Sequence, residues 1–114
     1  MVAYYSYMEK IFRALADKHR RRLLDRLFDA DSLTLAELCE GETITRQAVS
    51  KHLGILESAG LVVTVRRGRE KRHYLNPVPV QEVSDRWISK YARRRLRAVS
   101  ALKNALEEEL DEQT

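Results

Sequence analysis

Apolar residues recur at helical spacing along most of this chain and give way to a β-branched run in only one place. Tyr5, Met8, Ile11 or Phe12, and Leu15 predict a first helix over about Tyr4 to Ala16. Leu23, Leu24, Leu27 and Phe28 predict a second over about His19 to Asp29, buried on that stripe and decorated on the other by Arg20, Arg21, Arg22 and Arg26. Thr34-Leu35-Ala36-Glu37 reads as a capping box, so a short third helix should follow Thr34, with Leu35 and Leu38 inward and Gly41 closing it. Thr45 is a good N-cap, and Gly60 is the residue type that most often ends a helix in the left-handed conformation. Between them Val49, Leu53 and Leu56 form the inward stripe of a fourth helix.

After Gly60 the pattern changes. Leu61 to Val65 and Lys71 to Leu75 read as two strands joined by a glycine-containing turn, Arg66 to Glu70. Asn76-Pro77-Val78-Pro79 stops that hairpin, because proline cannot donate to a ladder. From Val80 to Glu112 there is no proline or glycine, and Val80, Val83, Trp87, Tyr91, Val99, Leu102, Leu106 and Leu110 repeat every three or four residues. One helix of about 30 residues, roughly 45 Å long, should result. It is longer than a small domain can cover alone, so a coiled-coil-like partner is expected.

The outward face of the Thr45 helix gives this architecture a purpose. It carries Gln47, Ser50, Lys51 and Gly54, with Arg46 at its edge. Amide and hydroxyl groups can read base edges in a DNA major groove while cations meet phosphates. A plain solvated face would look similar, and the neighbouring segments decide between the two. Two short helices over about residues 34–60, joined by a tight glycine-containing turn, form a helix-turn-helix. A wing over about 61–76 and a terminal helix over about 80–112 complete a winged helix-turn-helix. The fold class is mainly α with one small β-hairpin, in a single domain spanning residues 1–114.

Charge changes the picture further. The chain has 21 Lys and Arg against 17 Asp and Glu, a formal net charge of +4. Glu107, Glu108, Glu109, Asp111 and Glu112 cluster at the end, leaving 12 acids against 21 cations, or +9, over residues 1–106. A basic body with an acidic tail points to a polyanionic partner, most simply nucleic acid. Arg66, Arg67, Arg69, Lys71 and Arg72 crowd like charges onto one hairpin. Arginines at a wing tip can enter a narrow minor groove and sense its negative potential. With one cysteine, neither an intrachain disulfide nor a cysteine-based metal cage can form. No segment could span a bilayer, and a cytoplasmic location is expected. No phosphate loop, nucleophile elbow or convergent carboxylate pair suggests an enzyme.

Phe12-Arg13-Ala14-Leu15-Ala16-Asp17 with Arg20-Arg21-Arg22-Leu23-Leu24 resembles the opening helices of the ArsR/SmtB-type bacterial repressors. Thr45 to Leu53, followed by Leu56 to Val62, looks like their recognition helix and its exit. Arg67-Gly68-Arg69-Glu70-Lys71-Arg72 and Tyr74-Leu75-Asn76-Pro77 are similar to their wing. Trp87-Ile88 and Tyr91 resemble the last helix of a branch not known for metal sensing. The match covers nearly the whole chain, and the order of its motifs is more specific than any one of them. The resemblance implies a homodimer built on the first and last helices, and a repressor that leaves its operator on receiving a signal. Metal-sensing members open the third helix with a Cys-x-Cys pair, where this chain has Thr34 and Ala36. Other members use histidines on the last helix, whereas His19, His52 and His73 all precede it. No metal and no cofactor are therefore expected.

The expected DNA contacts are Thr45, Arg46, Gln47, Ser50, Lys51 and His52 on the recognition helix and Arg66, Arg67, Arg69 and Lys71 on the wing. His52, at the margin of the buried stripe, could equally cap the core. Tyr4, Tyr5, Met8, Trp87, Tyr91, Val99, Leu102 and Leu106 are the expected dimer contacts, and the arginines from Arg93 to Arg97 could flank DNA, meet a partner's acidic tail, or be solvated. Cys39 reads as a small buried hydrophobe. Two alternatives stand beside a double-stranded-DNA-binding repressor: a redox- or ligand-responsive sensor of the same fold, and a protein-interaction module for an acidic partner.

Overall fold

The computed structural model describes residues 2–112, apart from the side chains of residues 2–5, 88 and 89. The elements run α1 (Val2–Leu15), α2 (Lys18–Ala30), α3 (Leu35–Glu40), α4 (Arg46–Ser58), β1 (Val62–Arg67), β2 (Glu70–Leu75) and α5 (Val78–Val83). A π-helical turn over Ser84–Ile88 and α6 (Ser89–Glu112) follow. The chain divides into two compact units, Met1–Val80 and Gln81–Thr114.

The core of the first unit is built from the predicted stripes. Leu23, Leu24 and Leu27 of α2, Leu38 of α3, and Val49, Leu53 and Leu56 of α4 form one buried cluster with Ala14, Leu61 and Val62. Among the described side chains of α1 the buried ones are Met8, Ile11 and Ala14, so Ile11 faces in and Phe12 is exposed. Phe28, expected inside, is 72% exposed. At about 100° per residue it falls beyond the edge of the stripe that Leu23 and Leu27 centre.

The helix ends obey side-chain chemistry legible in the sequence. Asp17 caps α2, its Oδ1 accepting from the backbone N–H of His19 at 2.8 Å and Arg20 at 3.2 Å. Thr34 and Glu37 form the reciprocal capping box of α3. Thr45 caps α4 through Ala48 N. At the far end of α4 the N–H of Gly60 reaches Glu57 O and that of Leu61 reaches Leu56 O, the paired bonds of a Schellman cap with Gly60 at φ 75°.

The arginines of α2 do not simply decorate a solvated face. Arg20 donates through Nη2 to Arg13 O (2.8 Å) and through Nε to Ala14 O (2.9 Å), and Arg21 donates to Leu15 O (2.8 Å). These are the last three carbonyls of α1, which have no partner within their own helix. Arg26 does the same for α3, donating to Glu37 O (2.9 Å) and Leu38 O (2.6 Å), while Arg22 reaches Gly41 O (3.1 Å). Glu42, its side chain 2% exposed, pairs with both Arg22 and Arg26. Helix α2 thus carries cationic staples that hold α1 and α3 by their C-terminal ends.

The hairpin pairs Val62 with Leu75 through Arg67 with Glu70, longer toward the tip than expected, leaving Gly68-Arg69 as a two-residue turn. A further bridge was not foreseen: Leu33, between α2 and α3, pairs antiparallel with His73 of β2. Asp31, at φ 63° and ψ −55°, sets it up. Together with the Ser32 N to Ala30 O bond of 2.7 Å, it closes a γ-turn that delivers Ser32 and Leu33 to the wing.

The terminal segment is not one regular α-helix. It starts at Val78, where Asn76 Oδ1 accepts from Val78 N, and Pro79 lies inside the first turn, where no N–H donor is required. The π turn at Ser84–Ile88 answers the spacing Val83, Trp87, Tyr91. Two successive steps of four overrun an α-helical stripe, and a wider turn restores the register. Tyr91 is 69% exposed and Val99, Leu102 and Leu106 are 58%, 62% and 52% exposed, so α6 presents an apolar row outside any core of its own chain.

Candidate nucleic-acid interface

Helix α4 is two-sided. Val49, Leu53 and Leu56 are buried, while Thr45, Arg46, Gln47, Ser50 and Lys51 are exposed. Arg46, Gln47, Ser50 and Lys51 line a shallow groove with Leu35 of α3, so the predicted helix residues are brought together on one surface. Among the described residues no carboxylate pairs with Arg46 or Lys51.

His52 stands apart from that group. It is half-buried, its Nδ1 lies 3.2 Å from Arg20 Nη1, and its ring centroid is 5.7 Å from that of His19. Because a guanidinium only donates, Nδ1 must be the accepting, unprotonated nitrogen. Burial holds its pKa below the ordinary 6.5; Asp17 opposes this, while Arg20, His19 and Lys51 add to it. The ring lies at the joint between α4 and α2, apart from the exposed row of Arg46, Gln47, Ser50 and Lys51.

The wing cations divide in the same way. Arg66, Arg67, Arg69 and Lys71 are exposed, and Arg67 lies over the Tyr74 ring at 5.9 Å. Arg72 is engaged instead. It donates to Ser32 Oγ (2.8 Å) and Ser32 O (3.2 Å) and pairs with Glu70 (2.9 Å) and Glu37 (3.6 Å). His73 beside it is buried, with Nδ1 3.0 Å from Leu33 O and Nε2 3.9 Å from Glu57 Oε1. Glu57 also accepts from Thr64 Oγ1 at 2.6 Å, so the end of α4 and the root of the wing are tied together.

Of the expected pairing residues, Tyr4 and Tyr5 lie outside the described side chains. Met8 is 2% exposed within its own chain. Trp87 is half-buried, whereas Tyr91, Val99, Leu102 and Leu106 are exposed. Cys39 is half-buried against the core. Among the described residues, no three His, Cys, Asp or Glu side chains converge as metal ligands, and no helix is long and apolar enough to cross a membrane.

A capped reading helix after a short supporting helix, followed by an anchored cationic hairpin, defines a winged helix-turn-helix DNA-binding module. Comparison with known proteins agrees. Residues 15–65 match a family model described as a helix-turn-helix domain. The chain is 41% identical over 86 residues to the HTH-type transcriptional regulator YuzN of Bacillus subtilis strain 168, covering 70% of this chain and 94% of that one. It is 32% identical over 81 residues to the transcriptional repressor SdpR of the same organism, covering 71% and 88%. An ArsR-like transcriptional regulator from Rhodococcus sp. RHA1 superposes with a TM-score of 0.73 at 29% identity, over 95% of this chain and 97% of that one. The chain belongs to the ArsR-type winged helix-turn-helix transcriptional regulators. It is a DNA-binding regulator and not an enzyme.

Proposed function

We propose that the protein is a homodimeric cytoplasmic repressor that binds an inverted-repeat operator, its two units serving as one functional domain. The observation that carries this is the exposed face of α4, where Arg46, Gln47, Ser50 and Lys51 lie together over a buried stripe that fixes their orientation. Gln47 and Ser50 would read base edges, with Lys51, Arg46 and Thr45 on edges and backbone. Arg67 and Arg69, flanked by Arg66 and Lys71, would hold the adjacent minor groove. His52 is assigned to positioning through Arg20. Tyr91, Val99, Leu102 and Leu106 would face a second copy, placing half-sites about one helical turn apart. The name of the relative SdpR supports repression as the direction of control. Thr34, at the position of a metal-binding cysteine in other members, is engaged in capping α3, which supports a release signal other than a family-type metal.

Anisotropy titrations over a salt series test this reading, using the DNA upstream of the protein's own gene against scrambled DNA. A steep salt slope with a preference of about a hundredfold or more is expected. Gln47→Ala should relax the preference while leaving most of the slope. Absence of duplex binding at low salt would overturn the reading in favour of an acidic protein partner.

A further inference from the structure

Gly54 is a glycine that folding does not require. It sits inside α4, where glycine is a poor helix former, and its φ is not positive. A Cβ built there would meet nothing within 4 Å. Neither backbone conformation nor packing therefore accounts for it, which leaves an approach from outside the chain. Gly54 follows Gln47 by seven residues and Ser50 by four, so it shares their face of the helix.

What surrounds it indicates the visitor. Gly54, Ile55, Ser58 and Ala59 form one wall of a shallow groove of about 430 Å³ between α4 and α1, and the cations Lys51, Lys10 and Arg13 line the rest. Lys10 and Arg13 stand one turn apart on α1 and are exposed. Among the described residues none of these three cations has a carboxylate partner, and no acidic residue lines the groove. The Arg13 carbonyl is held by Arg20, so the backbone that carries the α1 cations is fixed to α2. Lys51 also lines the groove of Arg46, Gln47 and Ser50, so the two grooves meet at its side chain.

We propose that Lys10, Arg13 and Lys51 clasp a DNA backbone phosphate, with the strand passing over the bare surface of Gly54. This makes α1 a second cationic limb of the interface besides the wing, at positions the helix-turn-helix pattern does not point to. A phosphodiester fits because it is anionic, and the missing side chain admits it close to the helix. Continuity with the base-reading groove assigns it to the same duplex. The inference rests on the DNA-binding reading and adds two residues to it.

Phosphate contacts are independent of sequence, so the test uses a short random-sequence duplex and the full chain, followed by anisotropy over a salt series. Lys10→Ala and Arg13→Ala should each weaken binding about five- to tenfold near 0.1 M salt and each lower the log–log salt slope by about one. Lys10→Arg should retain both. Gly54→Gln, a neutral change to a better helix former, should weaken binding while the thermal midpoint holds or rises. Wild-type affinity and slope in the Lys10→Ala/Arg13→Ala variant, or wild-type affinity in Gly54→Gln, would overturn the clasp and leave the DNA reading standing. Failure of the unmutated protein to bind duplex at low salt would overturn both. Thermal stabilisation by inorganic phosphate that the double variant loses, with duplex binding unchanged, would make the groove a small-anion site and overturn the assignment to DNA.

Discussion

Arg20 Nη1 stands 3.2 Å from Nδ1 of His52, and the same guanidinium holds two C-terminal carbonyls of α1. One side chain of α2 therefore joins the first helix to the recognition helix. The joint depends on a ring nitrogen that can accept a hydrogen bond only while it is unprotonated. Arg22 and Arg26 hold α3 in the same manner, so both partners of the recognition helix hang from α2.

Acid should loosen this joint. The folded-state pKa of His52 is depressed below 6.5, chiefly by burial, so the unfolded chain takes up a proton at higher pH than the folded one. Stability contributed by the neutral ring is complete above about 6.5 and declines as pH falls from there to the folded-state pKa, below which it changes no further. Asp17 and Glu37 act lower. Burial raises the Asp17 pKa, but the N–H groups of Arg20 and His19 outweigh it, and bonds from Thr34 lower that of Glu37. Their contributions are lost only as pH drops below the ordinary carboxylate values of 3.8 and 4.5. Thermal midpoints across pH 5 to 8 should fall on the acid side in the wild type and flatten in His52→Gln. An unchanged profile in that variant would refute the role given to the ring.

Arg26 and Gly41 should prove energetically coupled. A Cβ at residue 41 would lie 2.5 Å from Arg26 Cζ, so any side chain there displaces the guanidinium from Leu38 O, Glu37 O and Glu42. Arg26→Lys keeps the charge but loses the fork, at an expected cost of about 2 kcal/mol. Gly41→Ala should cost a similar amount in the wild type and markedly less in the Arg26→Lys background. Additive losses in a denaturation cycle would show that the two residues do not share this contact.

Arg69 and Arg72 stand three residues apart on the wing and should behave oppositely. Arg69 is exposed at the turn, so Arg69→Ala should leave the thermal midpoint in place, weaken binding to every duplex, and flatten the salt slope. Arg72 is held by Ser32, Glu70 and Glu37. Arg72→Ala should lower stability by about 1–2 kcal/mol with little change in slope, because no phosphate contact is lost. Reversed phenotypes would mean that the two side chains exchange roles on DNA.

That contrast also marks how far the chain could be read from its residues. Periodicity located the four helices of the first unit, and the chemistry of Thr34, Thr45 and Gly60 placed ends of α3 and α4, because caps are local. The terminal stretch reads as one helix from Val80, whereas it begins at Val78 and is broken by the π turn. The division among cations was hidden, since it depends on groups far apart in sequence: Arg72 finds Ser32, Arg20 finds His52, and Arg26 finds the end of α3. The Leu33–His73 bridge was invisible for the same reason, as one γ-turn residue, Asp31, aims it. The π turn could have been suspected from the two successive steps of four at Val83, Trp87 and Tyr91.

Pairing through α6 yields the remaining prediction. Val99, Leu102 and Leu106 are more than half exposed and follow one another at steps of three and four, the spacing of a helix–helix seam. Cations from Arg93 to Arg97 precede this row, and acids from Glu107 to Glu112 follow it. An antiparallel pair centred near Leu102 would bring each cationic block against the partner's acidic one, whereas a parallel pair would oppose like charges. Leu102→Glu should therefore yield a folded monomer by light scattering, because the residue leaves no hole in its own chain. Operator affinity should fall steeply with loss of the second half-site, while Glu108→Lys with Glu109→Lys should weaken the dimer most at low salt. A wild-type chain that stays monomeric at micromolar concentration, or a Leu102→Glu variant that stays dimeric, would remove α6 as the seam.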